Sequence, residues 1–307
     1  MIRATLYSDP ACPWAYSESP ALRVIEWRYG DQLDWRLVVV GLSEDTSRYA
    51  SRGYTPQRMA AGQLRFRDRF GMPFALEPKA RLSPSSPACR AIVAARIQSP
   101  GSEWRVFRAL QLANFNEGLL FDDAEATLRV LARVPGIDAA EVIRAIDSRE
   151  VIAGYERDKA ETRTAEGSAT ERQGKAGNSD GKVRYTAPSV VFETEDGRRL
   201  EAGGFQPVEA YDVLVCNLDP KLDRREPPET VASLLEYFDG GLTTQEVAAL
   251  MASGNDAPDR VAAEAALIEL VGSGSAVRMA LGDDALWIAA DSPALGRAGH
   301  TLAAAGA

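Results

Sequence analysis

Cys12 stands in the run Asp9-Pro10-Ala11-Cys12-Pro13-Trp14, at a turn that feeds a helix. A cysteine at a helix N-terminus faces unpaired backbone N–H groups and the positive end of the helix dipole. Both favour the thiolate, the reactive form of the side chain. Pro13 suits the first helical turn, where its missing N–H is not needed. This placement predicts an Sγ near the surface and nucleophilic, against the alternative of a small buried cysteine. A second feature is Thr186-Ala187-Pro188-Ser189, just before a strand. A proline at the start of a central strand is best tolerated with a cis bond, which would present the Ala187 backbone as an extended docking edge beside the thiol. Trp14 either walls a substrate groove or packs against the helices that follow.

The rest of the reactive inventory is sparse. The three cysteines, Cys12, Cys89 and Cys216, are too few and too scattered for a disulfide framework, and no Cys-x-x-Cys pair exists. Cys216, among Val213, Leu214 and Val215, is expected in the core. The single histidine, His300, lies near a Gly/Ala-rich tail and is expected to be satisfied or solvent-exposed. One histidine removes most His-based metal sites and Ser-His-Asp or Cys-His triads, so no metal is predicted.

These groups must be held by a frame. Residues 2–8 read as a strand, the segment from Cys12 to about Arg28 as a helix kinked at Pro20, and Leu33 to Val40 as a second strand. Together they make a βαβ unit with parallel strands. Residues 43–165 show no strand pattern; Tyr54–Phe70, Ala88–Gln98, Glu103–Asn116, Asp123–Val134 and Asp138–Ile146 read as helices. Residues 174–181 are Gly-rich and polar and read as a mobile loop. Val190–Glu193 and Arg198–Ala202 form a hairpin around Glu195-Asp196-Gly197, and Pro207–Asn217 is a closing helix. After a polar linker, 219–228, residues 229–290 read as three helices and a hairpin. Thr243 and Glu246 there form a capping box.

Composition narrows the function classes. Of the 307 residues, 44 are acidic and 35 basic, a net charge of −9. An acidic chain is repelled by phosphate, so no nucleic acid partner is expected. No apolar run approaches the roughly 18 residues needed to span a bilayer, so no membrane association is expected. The start of the chain lacks a signal-peptide layout and reads as cytoplasmic.

The Asp9–Tyr16 segment resembles the active-site segment of DsbA-family thiol oxidoreductases. It is closest to the branch that includes 2-hydroxychromene-2-carboxylate isomerase and kappa-class glutathione transferase. Thr186-Ala187-Pro188 is similar to that family's cis-proline loop, and the resemblance covers about residues 2–217. It implies an α/β, thioredoxin-like fold formed by residues 1–42 and 182–218, with residues 43–181 as an inserted helical domain. It implies Cys12 as the attacking thiol, with Pro13, Trp14, Ala187 and Pro188 binding substrate. In the family the insertion packs over the active site, so Cys89 is a candidate second thiol, although a buried cysteine on an Ala-rich helix is the favoured expectation. One departure is plain: the family motif is Cys-Pro-x-Cys, and here Ala15 replaces the second cysteine.

Without a local partner, Cys12 has three routes: mixed disulfides with a low-molecular-weight thiol, resolution by a distant cysteine, or a non-redox use of the thiol or its pocket. The leading expectation is a DsbA-like monothiol oxidoreductase acting through the Cys12 thiolate on disulfides or electrophilic small molecules, with no tightly bound cofactor. The alternatives are a small-thiol-dependent isomerase or transferase, and a binding or assembly protein that kept the fold and lost the redox pair. Residues 229–290 have the element order of a winged helix. Their candidate recognition helix carries Asp259, Glu264 and Glu269 against one Arg260, so packing or homodimerisation is expected rather than DNA binding.

Overall fold

The computed structural model describes residues 1–254 and 256–295, and the expectation for His300 falls outside them. The chain opens with β1 (Ile2–Ser8), crosses over through α1 (Pro13–Ser17) and α2 (Ser19–Tyr29), and returns as β2 (Leu33–Val39). β2 is parallel to β1, with Leu6 opposite Leu37 and Tyr7 opposite Val38. The crossover is two helices, not the single kinked one expected. α1 stops at Glu18, and Pro20 lies in the first turn of α2, where its missing N–H is harmless.

An all-helical stretch follows: α3 (Ser47–Ser51), α4 (Pro56–Phe70), α5 (Ser86–Gln98), α6 (Glu103–Asn116), α7 (Ala124–Leu131), α8 (Ala139–Ala145), α9 (Arg149–Thr162) and α10 (Ala169–Arg172). Thr55, Asp123, Asp138 and Ser148 each accept a first-turn N–H with their side chains, so these helix starts are written locally. α9 has no counterpart among the helices expected from sequence, because charge hides its buried face of Val151, Tyr155, Asp158 and Thr162. Asp158 accepts the Val39 N–H at 3.1 Å and an Arg96 N–H at 2.9 Å, which blunts the free edge of β2.

The expected mobile loop is instead part of a small ribbon, β3 (Gly177–Asn178) paired with β4 (Val183–Arg184). Arg48 holds it by donating to the Ser179 carbonyl at 2.6 Å. β5 (Ser189–Thr194) and β6 (Arg199–Gly203) then complete a sheet of order β2-β1-β5-β6, with β5 antiparallel to both neighbours. α11 (Val208–Leu218) closes it by burying Tyr211, Val215 and Leu218. Cys216 lies one step off that stripe and is exposed, which corrects its expected core position.

Strand alternation gives the sheet two different faces. Ala4, Leu6, Leu37, Val39, Val190 and Phe192 point into the main core shared with α2, α5 and α6. Tyr7, Val38 and Val191 point the other way, into a smaller cluster that contains Cys12, Tyr185 and Ala187.

The last part comprises α12 (Val231–Tyr237), β7 (Leu242–Thr243), α13 (Thr244–Met251), α14 (Arg260–Gly272), β8 (Ala276–Leu281) and β9 (Asp284–Ala289), with strand order β7-β9-β8. The short β7 adds a third strand to the expected hairpin, and Trp287 opposite Leu242 fills the centre. This module does not hang from its linker. α13 packs on α2, and Glu246, fully buried, accepts two bonds from Arg108 of α6 and one from Ser19 of α2. At the β8–β9 turn Gly282 has φ +56°, and a Cβ there would meet the Phe74 carbonyl carbon at 2.9 Å. The neighbouring Asp283 accepts the Phe74 N–H at 3.0 Å.

Candidate thiol site

Cys12 occupies the N-cap of α1, with extended backbone angles, and its carbonyl accepts the Tyr16 N–H at 3.0 Å. The Ala187–Pro188 bond is cis, and this loop lies directly against the cysteine: Cys12 Sγ donates to the Ala187 carbonyl at 3.0 Å. Two segments 175 residues apart thus meet at one sulfur. Pro13 starts the helix. Trp14 is 41% exposed, and its ring meets Phe66 and Phe70 of α4 and Phe205 edge-on at 4.9–5.7 Å. It therefore both packs against the helical insertion and keeps an open face near the thiol loop.

The expected surface thiolate is not found. Cys12 is only 6% exposed. Burial pushes its thiol up to about 12, and the Asp9 carboxylate adds to the rise, while the N–H groups of Ala15 and Trp14 and the Arg184 guanidinium pull the other way. Desolvation outweighs the helix terminus because α1 has only five residues and its opening turn is sealed by Tyr7, Val38 and Tyr185. A protonated sulfur also fits the geometry, since only a thiol can donate to a carbonyl oxygen.

Asp9, quoted in the motif but given no role by sequence reasoning, is the polar centre beneath the thiol. It is fully buried. Oδ1 accepts the Ala11 N–H at 2.9 Å; Oδ2 accepts the Leu42 N–H at 2.8 Å, the Ser85 hydroxyl at 3.0 Å and the Cys89 thiol at 3.5 Å. Burial raises its carboxyl above the ordinary range, against the lowering effect of these bonds. Cys89 is itself fully buried on α5, and burial with the nearby Asp9 charge raises its thiol well above the usual value. Cys12, Cys89 and Cys216 are all free.

Arg184 also escapes sequence reasoning, because it follows the Gly-rich stretch that reads as a loop. It is buried and donates to the Tyr185 carbonyl at 3.0 Å and to Ser179 Oγ at 2.6 Å. Gly177 makes room for it: a Cβ there would stand 3.1 Å from the guanidinium. Tyr185 in turn stacks on Tyr7, with centroids 4.6 Å apart and planes at 6°. The only signal for Arg184 is weak, a cation two residues from Thr186. Ala15 is buried beside this cluster, at the position the resemblance gives to a second cysteine. No group of metal-ligating side chains exists among the described residues.

A four-stranded sheet with a thiol at its first helix start and a cis-proline loop against the sulfur defines a thioredoxin-fold protein. The DSBA-like thioredoxin domain matches residues 4–166, and the chain belongs to that family. In fold it is similar to a putative protein disulfide isomerase from Nitrosomonas europaea, at 17% identity over 72% of this chain and 98% of that one, with a TM-score of 0.55. It is likewise similar to the cytosolic disulfide reductase DsbM from Pseudomonas aeruginosa, at 21% identity over 70% and 98%, TM-score 0.51. A third likeness is to a probable DsbA oxidoreductase from Streptomyces coelicolor, at 19% over 75% and 94%, TM-score 0.54. No curated protein matches the chain. No helix among the described residues is long and apolar enough to cross a membrane.

Proposed function

We propose that the chain is a monothiol exchange enzyme that works through Cys12 on small-molecule or protein disulfides. The observation that carries this reading is the 3.0 Å contact between Cys12 Sγ and the Ala187 carbonyl at the cis Ala187–Pro188 bond. It sets the sulfur beside backbone that a disulfide substrate can pair with as an added strand. Docking there draws the Ala187 carbonyl into substrate contacts and releases the thiol, whose proton passes to solvent. The sulfur then attacks one sulfur of the disulfide. A Cys12–substrate disulfide forms, the substrate S–S bond breaks, and the departing thiolate takes up a proton. Because Ala15 offers no second thiol, a low-molecular-weight thiol attacks the mixed disulfide, restores Cys12 and leaves as a new disulfide. The sum is one disulfide exchanged for another, with no net oxidant. Substrate groups reach the sulfur past the open face of Trp14 and past Pro13. The work is assigned to a reducing compartment, where small thiols are plentiful.

Burial and a raised thiol favour a rival reading, a binding or assembly protein on the same fold. Glutathione disulfide at neutral pH followed by peptide mass mapping separates the two. Cys216 is exposed and Cys12 is not, so access alone labels Cys216. The enzyme reading requires glutathionylation of Cys12 ahead of Cys216, reversed by added glutathione. Labelling of Cys216 alone overturns it in favour of the rival.

A further inference from the structure

A cleft of about 370 Å³ lies on the Leu6 face of the sheet, and Ala15 of the thiol cluster forms part of its lining. Leu6, Ser8 and Trp35 form its floor, α2 and α6 its sides, and the turn from Phe238 to Gly241 its far wall. Neither Cys12, Asp9, Ala187 nor Pro188 touches it. Its volume is that of a small-molecule site.

The walls are aromatic: Trp35, Trp104, Phe107, Tyr237 and Phe238. Trp35 and Trp104 meet edge to face at 6.4 Å. Three of the lining residues carry a buried N–H group with no partner among the described residues: Trp35 Nε1, Arg108 Nε and Gln111 Nε2. Gln111 is only 5% exposed. No lining residue carries a buried unpaired acceptor among the described residues. Buried polar groups are normally satisfied, so three orphans of one kind around one cleft describe what is missing: acceptor oxygens.

Charge sets a second condition. The guanidinium fork of Arg108 is taken by Glu246 at 2.8 Å on both arms, Arg23 donates to Glu26 at 2.6 Å, and Arg105 stands 3.9 Å from Asp239. Each of these three cations already has its anion, so among the described residues the lining offers no spare positive charge for a carboxylate.

We propose that this cleft binds an uncharged aromatic carbonyl compound, its flat body against the aromatic walls and its oxygen accepting from the N–H groups of Gln111, Trp35 and Arg108. The wall from Phe238 to Gly241 gives the C-terminal module a share in the site.

The probe is coumarin, a neutral aromatic lactone, titrated by calorimetry into the full chain at neutral pH. Saturable binding below about 1 mM is expected. Naphthalene, which lacks the oxygens, binds at least about tenfold more weakly, and coumarin-3-carboxylate binds no tighter than coumarin. Gln111→Leu and Trp35→Phe each weaken coumarin at least about tenfold while near-UV circular dichroism and the rate of Cys12 glutathionylation stay as in the parent. Cys12→Ser leaves coumarin binding unchanged, so this site stands or falls apart from the thiol chemistry. Absence of saturation at 1 mM, equal binding of naphthalene, tighter binding of the carboxylate, or full affinity in both variants overturns the proposal.

Discussion

Arg108 and Glu246 meet fork to fork, with hydrogen bonds of 2.8 Å on both arms, at the seam where α2, α6 and α13 converge. Burial alone would raise the Glu246 carboxyl, but the Arg108 guanidinium, with Arg23 behind it and the Ser19 hydroxyl, holds it down at about 2. The same carboxylate completes the capping box by accepting the Thr243 N–H at 2.8 Å. One side chain therefore starts α13 and fastens it to the rest of the chain.

Arg108→Met leaves the Glu246 charge buried without its main partner, and is expected to cost roughly 3–5 kcal/mol in urea denaturation. The depressed carboxyl also sets a pH window. Its contribution is complete above its unfolded value of 4.5 and fades as pH falls through about 2. Parent stability should fall by roughly 3 kcal/mol between pH 5 and 2 from this group, and Arg108→Met should lose most of that slope. Parallel pH curves for the two proteins would contradict the assignment.

Glu18 gives the opposite slope. It is fully buried at the break between α1 and α2, where burial raises its carboxyl to about 8 against the pull of the Gln206 N–H at 3.3 Å. A raised acid contributes fully below its unfolded value of 4.5 and loses that contribution as pH climbs to about 8. Glu18→Gln should match the parent near pH 4 and exceed it by about 2–4 kcal/mol at pH 9. An unchanged difference between those two pH values would show that Glu18 ionises freely.

Alkylation of Cys12 by iodoacetamide, which needs no docking edge, should be slower at pH 7 than that of a free thiol. Its rate should still be rising at pH 11, because the thiol is pushed up to about 12. Asp9→Asn removes the negative charge beside the sulfur and should speed the reaction about three- to tenfold at a given pH. It should also cost about 1–3 kcal/mol, as one of the buried donors around Oδ2 loses its acceptor. A plateau near pH 9 in the parent would refute this picture.

Ala15→Cys restores the Cys-Pro-x-Cys spacing at a buried position of the same short helix. Treated with glutathione disulfide, this variant should pass from mixed disulfide to an internal bond between Cys12 and the introduced thiol, losing two free thiols and retaining no glutathione. Persistent glutathionylation would mean that the second sulfur cannot reach the first.

Much of this was legible in the sequence because it is coded locally. The strand-to-helix turn at Pro13, the proline before β5 and the capping box at Thr243 each declare themselves within a few residues. What stayed hidden depends on contacts between distant segments. The state of Cys12 is set by Tyr7, Val38 and Tyr185 closing over it, and this burial outweighs the pull of the helix terminus on its thiol. Asp9 gains its role only when Leu42 arrives from just beyond β2 and Ser85 and Cys89 from the start of α5. Cys216 has an apolar neighbourhood in sequence, yet the helix turns it outward. The Gly-rich run before Arg184 reads as a loop until the Arg184 guanidinium is seen lying on Gly177.

The bond between the Cys12 thiol and the Ala187 carbonyl has one further consequence. Peroxide and other stray oxidants consume thiolates far faster than thiols, and this sulfur keeps its proton while it rests on the loop. On the proposed exchange reading, an extended substrate that competes for the same carbonyl uncovers it. On that reading, shielding of the sulfur from stray oxidants and choice of the substrate are a single event.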